Sequence, residues 1–121
     1  MIYILLPCYN EYENLLILIN KINNLITKKK YRVKLIMVND GSTDLTESKI
    51  SKIKKKSKGQ IYYVKHKKNL GLNMSLFSGF KKFLEKSKKE DIVITLDSDN
   101  THPISLIPNI VELLRKKNAI L

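Results

Sequence analysis

Cysteine is almost missing from this chain of 121 residues: Cys8 stands alone, which excludes an internal disulfide framework. No Cys/His spacing suggests a structural zinc site, and a reducing compartment is the expectation. Long apolar runs are missing too. The opening Ile2 to Leu6 is too short for a signal-peptide core and has no basic leader, and nothing approaches the roughly 20 apolar residues that cross a bilayer. The expectation is a soluble, cytoplasmic chain, at most peripheral at a membrane face. Glycine and proline are scarce, 4 and 3, and no linker rich in them breaks the chain, so residues 1–121 read as one domain. Arginine is scarce in another sense. Lys and Arg total 23 against 11 Asp and Glu, a net charge of +12, yet only Arg32 and Arg115 are arginines. Specific recognition of phosphates or base edges favours the arginine fork, and here the lysines are scattered, without a basic stripe interleaved with aromatics. No specific nucleic-acid partner is expected. Scattered lysine instead suits diffuse attraction to a polyanion or an anionic membrane surface, or reflects an AT-rich genome.

What is present is ordinary globular composition, 43% hydrophobic and 28% charged. Apolar stretches of strand length alternate with segments of helical period. Ile2 to Leu6, Val33 to Val38, Ile61 to Val64 and Ile92 to Leu96 read as buried strands. A first helix is expected from Glu11 to Ile26. A second starts near Asp44, where Glu47 three residues on resembles a capping box, with Leu45, Ile50 and Ile53 as its apolar face. A third carries Leu72, Leu76, Phe77, Phe80, Phe83 and Leu84 toward the core, and a fourth runs from Ile104 to Lys117. This succession predicts an α/β fold, a Rossmann-like open and mainly parallel sheet with helices on both faces. Ligands of such sheets bind outside the carboxyl ends of the strands.

The polar residues cluster where that rule points. Asp97 and Asp99 flank one small residue after the fourth apolar run; two carboxylates so close repel unless a cation joins them, so Mg²⁺ or Mn²⁺ shared with substrate phosphates is one reading and a plain turn the other. Asp40, at the end of the second run, offers acceptors to a nucleobase or ribose, whereas Ser42, Thr43 and Asp44 suit a turn and a helix cap. Tyr9 offers an aromatic face and Glu11 a carboxylate. Glu11 and Asp40 both fall in loops at the surface, outside the core. His66-Lys67-Lys68-Asn69-Leu70-Gly71 sets cations and open backbone amides where phosphate could approach. Cys8 has no evident His partner and reads as a small, partly buried residue.

Pro7-Cys8-Tyr9-Asn10-Glu11, Val38-Asn39-Asp40-Gly41-Ser42-Thr43-Asp44, Asn69-Leu70-Gly71 and Leu96-Asp97-Ser98-Asp99, in this order, resemble glycosyltransferase family 2. Asn14-Leu15 after Glu11, and His102-Pro103 after Asp99, bring the likeness closest to the dolichyl-phosphate mannose synthase and polyprenyl-phosphate glycosyltransferase branch. It covers essentially the whole chain, but only the N-terminal, donor-binding part of such an enzyme. The resemblance implies a GT-A fold taking a UDP- or GDP-sugar. Pro7, Tyr9 and Glu11 would surround base and ribose, Asp40 would touch the base, Asp97 with Ser98 would lie against the donor, and Asp99, with Asp97 as a further ligand, would hold the divalent metal. Thr101 stands where the branch most often has glutamine. The implied acceptor is a polyprenyl or dolichyl phosphate. In the family, acceptor site and any catalytic base come from later in the chain, so here both are expected beyond Leu121 and no catalytic residue is assigned before it. A nucleotide-sugar-binding fragment that self-associates or needs a C-terminal partner is the companion expectation.

Overall fold

A computed structural model describes residues 1–44, 47–98 and 103–116. Strands β1 (Ile2–Cys8), β2 (Val33–Asn39), β3 (Gln60–Lys65) and β4 (Ile92–Thr95) form a sheet in the order β3-β2-β1-β4, and every pairing is parallel. Parallel sheets are covered on both faces, and this is why Ile2, Tyr3, Ile4, Leu5 and Leu6 are all buried without alternation. Successive side chains still go to opposite faces. Ile2, Ile4 and Leu6 meet α1 (Tyr12–Lys29), α2 (Ile50–Lys56) and α4 (Ile107–Lys116), whereas Tyr3, Leu5, Ile36 and Val38 meet Leu76 and Phe83 of α3 (Leu72–Lys86). The expected fold class is the observed one.

Local chemistry explains the helices, and departs from expectation twice. In α1, Leu15, Leu18, Ile19, Ile22 and Leu25 form a buried stripe at three- and four-residue spacing, and the helix stops at Lys30 in the left-handed region, φ 55°. The second helix begins at Ile50 rather than near Asp44, with no side-chain cap; Ile53 is buried and Ile50 packs beside it, while Leu45 lies outside the described residues. In α3, only Leu76 and Phe83 of the six expected core residues pack on the sheet; Phe77 is 63% exposed and Leu84 75%. Six apolar residues spread around so wide an arc cannot all face one sheet. The helix instead approaches through small residues, Ser75 and Gly79, and a Cβ on Gly79 would lie 2.2 Å from Leu5 Cδ1.

For a ligand the topology matters more. β1 lies between β2 and β4, so the direction of winding reverses there, and the loops after β1, β2, β3 and β4 leave from one edge of the sheet.

Candidate functional site

Asp40 organises that edge. Its amide donates to Cys8 O at 2.9 Å, and the His66 amide donates to Asn39 O at 2.9 Å, so the three loops remain in register just past the strands. The carboxylate is 5% exposed, which corrects the expectation of a surface-loop acid. Oδ1 accepts from His66 Nδ1 and from the Leu70 amide, both at 2.8 Å, and Oδ2 accepts from the Gly71 amide at 3.0 Å. Burial by itself would push this carboxyl up; the bonds from His66, Leu70 and Gly71 outweigh it and hold Asp40 below the usual carboxylate range. The amides of Leu70 and Gly71 are therefore occupied, and the expectation that they stand open to phosphate fails. Gly41, at φ 71°, makes this approach possible, since a Cβ there would lie 2.4 Å from Lys68 C and 2.5 Å from Asn69 N.

Beside Asp40 is a pocket of about 200 Å³ whose lining includes Pro7, Cys8, Tyr9, Gly71 and Ser75. Tyr9 is 42% exposed and can offer its ring to a planar ligand. Cys8 is inert: its thiol donates to Val38 O at 3.4 Å, and burial, reinforced by nearby carboxylates, pushes its pKa up to about 12. Ser98 is buried and its hydroxyl donates to Pro7 O at 2.8 Å, tying the end of β4 to that of β1. Among the sequence-selected residues, Pro7, Tyr9 and Asp40 thus meet at one pocket, with Ser98 as a brace behind Pro7.

Glu11 faces a neighbouring hollow of about 290 Å³, shared with Asn10 and Asp44, and accepts from Asn14 Nδ2 at 2.7 Å. Here the cap chemistry expected for the second helix has gone to the first loop. Asn10, at φ 53°, accepts from the amides of Thr43 and Asp44 at 2.7 and 3.1 Å, and its own amide donates to Ser42 Oγ at 3.1 Å. Asp44 Oδ2 accepts from the Tyr12 amide at 3.3 Å, an open donor of the first turn of α1. Glu47 is likewise no capping partner: it accepts from the Tyr63 hydroxyl and pairs with Lys65 at 3.1 Å. A larger hollow, about 640 Å³, lies at the far end of the sheet between Lys29, Tyr31 and α4, away from all these groups.

Comparison with known proteins gives this edge its context. Residues 3–121 match the profile of Glycosyl transferase family 2. The chain belongs to that family. It is 29% identical over 117 residues to the dolichol-phosphate mannosyltransferase of Pyrococcus furiosus, covering 97% of this chain and 31% of that protein. It is 30% identical over 111 residues to the prophage bactoprenol glucosyl transferase homolog of Escherichia coli, covering 92% and 34%. Among solved structures, residues 1–349 of Staphylococcus aureus TarS in complex with UDP-GlcNAc superpose with a TM-score of 0.73 at 19% identity, over 97% of this chain and 32% of that one. The mannosyltransferase PcManGT of Pyrobaculum calidifontis, in complex with GDP-Man and Mn²⁺, gives 0.68 at 21%, over 93% and 32%. The fold is that of GT-A glycosyltransferases, and this family 2 chain spans about a third of the length of these two relatives.

A divalent ion is the group such a family implies. Asp97 is half-buried just past Leu96, whose amide donates to Leu5 O at 3.0 Å; Asp99, Thr101 and His102 lie outside the described residues. Leu121 lies outside them as well, so the expectation that base and acceptor site follow it meets no described structure. Among the described residues no trio of His, Cys, Asp or Glu is arranged to hold a metal. A Mg²⁺-type site needs only one or two carboxylates when substrate phosphates and water supply the rest, and the Asp97/Asp99 pair is a donor set of that chemistry.

Sequence reading missed two groupings. Asn39 donates to the Tyr63 hydroxyl at 2.9 Å while accepting from the Ser42 amide at 3.0 Å, so a buried side chain links the second loop to β3. Burial, then the bond to Glu47, pushes the Tyr63 hydroxyl up to about 12. His66, read as a loop cation, is instead buried between Asp40 and Ser78. Its partners lie 26 residues before and 12 after it, beyond any local motif.

Proposed function

We propose that this chain is the nucleotide-sugar-binding part of a divalent-cation-dependent, inverting glycosyltransferase. The donor is a UDP- or GDP-sugar and the acceptor a polyprenyl or dolichyl phosphate. The observation that carries the reading is the meeting of Pro7, Tyr9 and Asp40 at one pocket on the strand-end edge of a family 2 chain. The names of the relatives, one a dolichol-phosphate and the other a bactoprenol enzyme, support a lipid-phosphate acceptor.

In this mechanism the nucleobase enters the pocket against Pro7 and the Tyr9 ring. Asp40 Oδ2 accepts one described bond and, as a carboxylate oxygen, has room for a second from the base. Glu11 faces the ribose. Asp97 and Asp99 would hold Mg²⁺ or Mn²⁺, and the ion would supply positive charge to offset the charge gathering on the departing nucleoside diphosphate. Direct displacement inverts the anomeric centre. A phosphate acceptor is already anionic and needs no strong base, and no acceptor-binding role is assigned to the described residues.

A second reading is a donor-binding module that does not transfer sugar alone. Holding an acceptor in line can supply roughly 7 to 11 kcal/mol of a barrier, so transfer depends on an acceptor site as well as on the donor pocket. The apolar residues on the outer side of α3 suit contact with another polypeptide, including a second copy, and the lysine excess suits anionic headgroups at a membrane surface. No helix among the described residues is long and apolar enough to cross a membrane.

Calorimetric titration with UDP and GDP tests the donor reading. Binding should require Mn²⁺ or Mg²⁺ and weaken at least about tenfold, 1.4 kcal/mol, in Asp99→Ala. Binding indifferent to both EDTA and that substitution would remove the metal from the account.

A further inference from the structure

Both ring nitrogens of His66 are engaged, and the ring is 8% exposed. An ionised Asp40 has no hydrogen to give, so the hydrogen between them rides on Nδ1 and His66 is the donor at 2.8 Å. Nε2 lies 2.8 Å from the hydroxyl of Ser78 on α3. Acid, imidazole and serine in this order have the connectivity of a hydrolytic triad. The serine does not stand at the pocket, however: Ser75, one turn earlier, lines it, and Ser78 is not part of that wall. The network therefore reads as placement and not as a nucleophile.

It is well situated for placement. Through Asp40, His66 is joined to the amides of Leu70 and Gly71, the residues that lead into α3. Through Ser78 it is joined to α3 itself, the helix that supplies Leu72 and Ser75 to the pocket. One imidazole thus spans three of the structures that line the pocket, namely the end of β2, the loop after β3 and the first turns of α3, which lie with Pro7, Cys8 and Tyr9 around it. Gly71 sits at φ 95°, and α3 has no side-chain cap of its own, so the helix start depends on contacts of this kind.

We propose that His66 is a positioning residue for the nucleotide: chiefly through its bond to Asp40, with Ser78 steadying the ring, it fixes the Leu70–Gly71 segment against the pocket and thereby sets nucleotide affinity. The inference rests on the nucleotide reading of the pocket. Asparagine can place an amide donor near the position of Nδ1 and glutamine near that of Nε2, so the two substitutions separate the ends of the bridge.

The test combines titration with UDP and GDP in MnCl₂ and hydrogen exchange of the Leu70 and Gly71 amides in the nucleotide-free chain. His66→Gln and His66→Ala should lose about tenfold in affinity and exchange both amides about tenfold faster, while β1 and β2 amides keep wild-type protection. His66→Asn should restore most of both. Ser78→Ala should weaken binding to a smaller degree. Should His66→Ala not fold, the His66→Asn and His66→Gln pair decides. Affinity unchanged in His66→Gln, or lost equally in His66→Asn and His66→Gln, overturns the inference. A wild-type chain that binds neither nucleotide overturns the nucleotide reading and the inference with it, an outcome distinct from wild-type binding that His66 does not affect.

Discussion

Removing the Asp40 carboxylate would strip three donors of their acceptor at once: His66 Nδ1 and the amides of Leu70 and Gly71. Each buried donor left unpaired costs about 1–3 kcal/mol, so Asp40→Ala should lower the melting temperature as well as nucleotide affinity. The sign of the pH effect follows from the direction of its shift. A carboxyl held below its ordinary value contributes stability above that value and loses it as pH falls through the lower folded one, so this contribution should fade below about pH 4 and be absent from the acid limb of the Asp40→Ala melt series. Glu11 offers the contrast. It faces the neighbouring hollow and its carboxylate accepts from Asn14, so Glu11→Ala should reduce nucleotide affinity while leaving the melting temperature near that of the parent; unchanged affinity would restrict Glu11 to the start of α1. The identity of these acids was legible in the sequence because they follow apolar runs. Their commitments were not: nothing near Asp40 in the chain reveals that a histidine 26 residues later would hold it.

At the scale of elements, the strands were legible because a doubly covered sheet needs unbroken apolar runs, and Ile2 to Leu6 and Leu35 to Val38 are such runs. The start of α2 was not, because Ser42, Thr43 and Asp44 satisfy a cap equally well across the chain as along it, and here they serve Asn10 and Tyr12. For α3 the obstacle was an excess of apolar residues, which left no contrast between the covered and the open side. Its covered side is set by size: Gly79 lets the helix sit against Leu5, a side chain buried at 0% exposure with little room to move. Gly79→Ala should destabilise the fold by about 1–3 kcal/mol through overpacking, although alanine is the better helix former. A stabilised Gly79→Ala chain in thermal melts would mean that α3 does not approach β1 so closely.

At the scale of the whole molecule, the strand-end pocket lies within residues 1–121, and titration of this chain with UDP or GDP should show nucleotide binding. The exposed Phe77 and Leu84 lead to a further expectation, concentration-dependent self-association in sedimentation that Phe77→Ser with Leu84→Ser abolishes; a parent chain that stays monomeric would contradict it. The central claim, that the nucleotide seats at the edge of the sheet, is tested most directly by amide shift mapping of the ¹⁵N-labelled chain titrated with UDP and GDP in the presence of Mg²⁺. The account predicts that the largest changes fall on Cys8, Tyr9, Asp40, Leu70 and Gly71. Changes centred instead on Lys29, Tyr31 and Arg115, around the larger hollow at the opposite end, would contradict it.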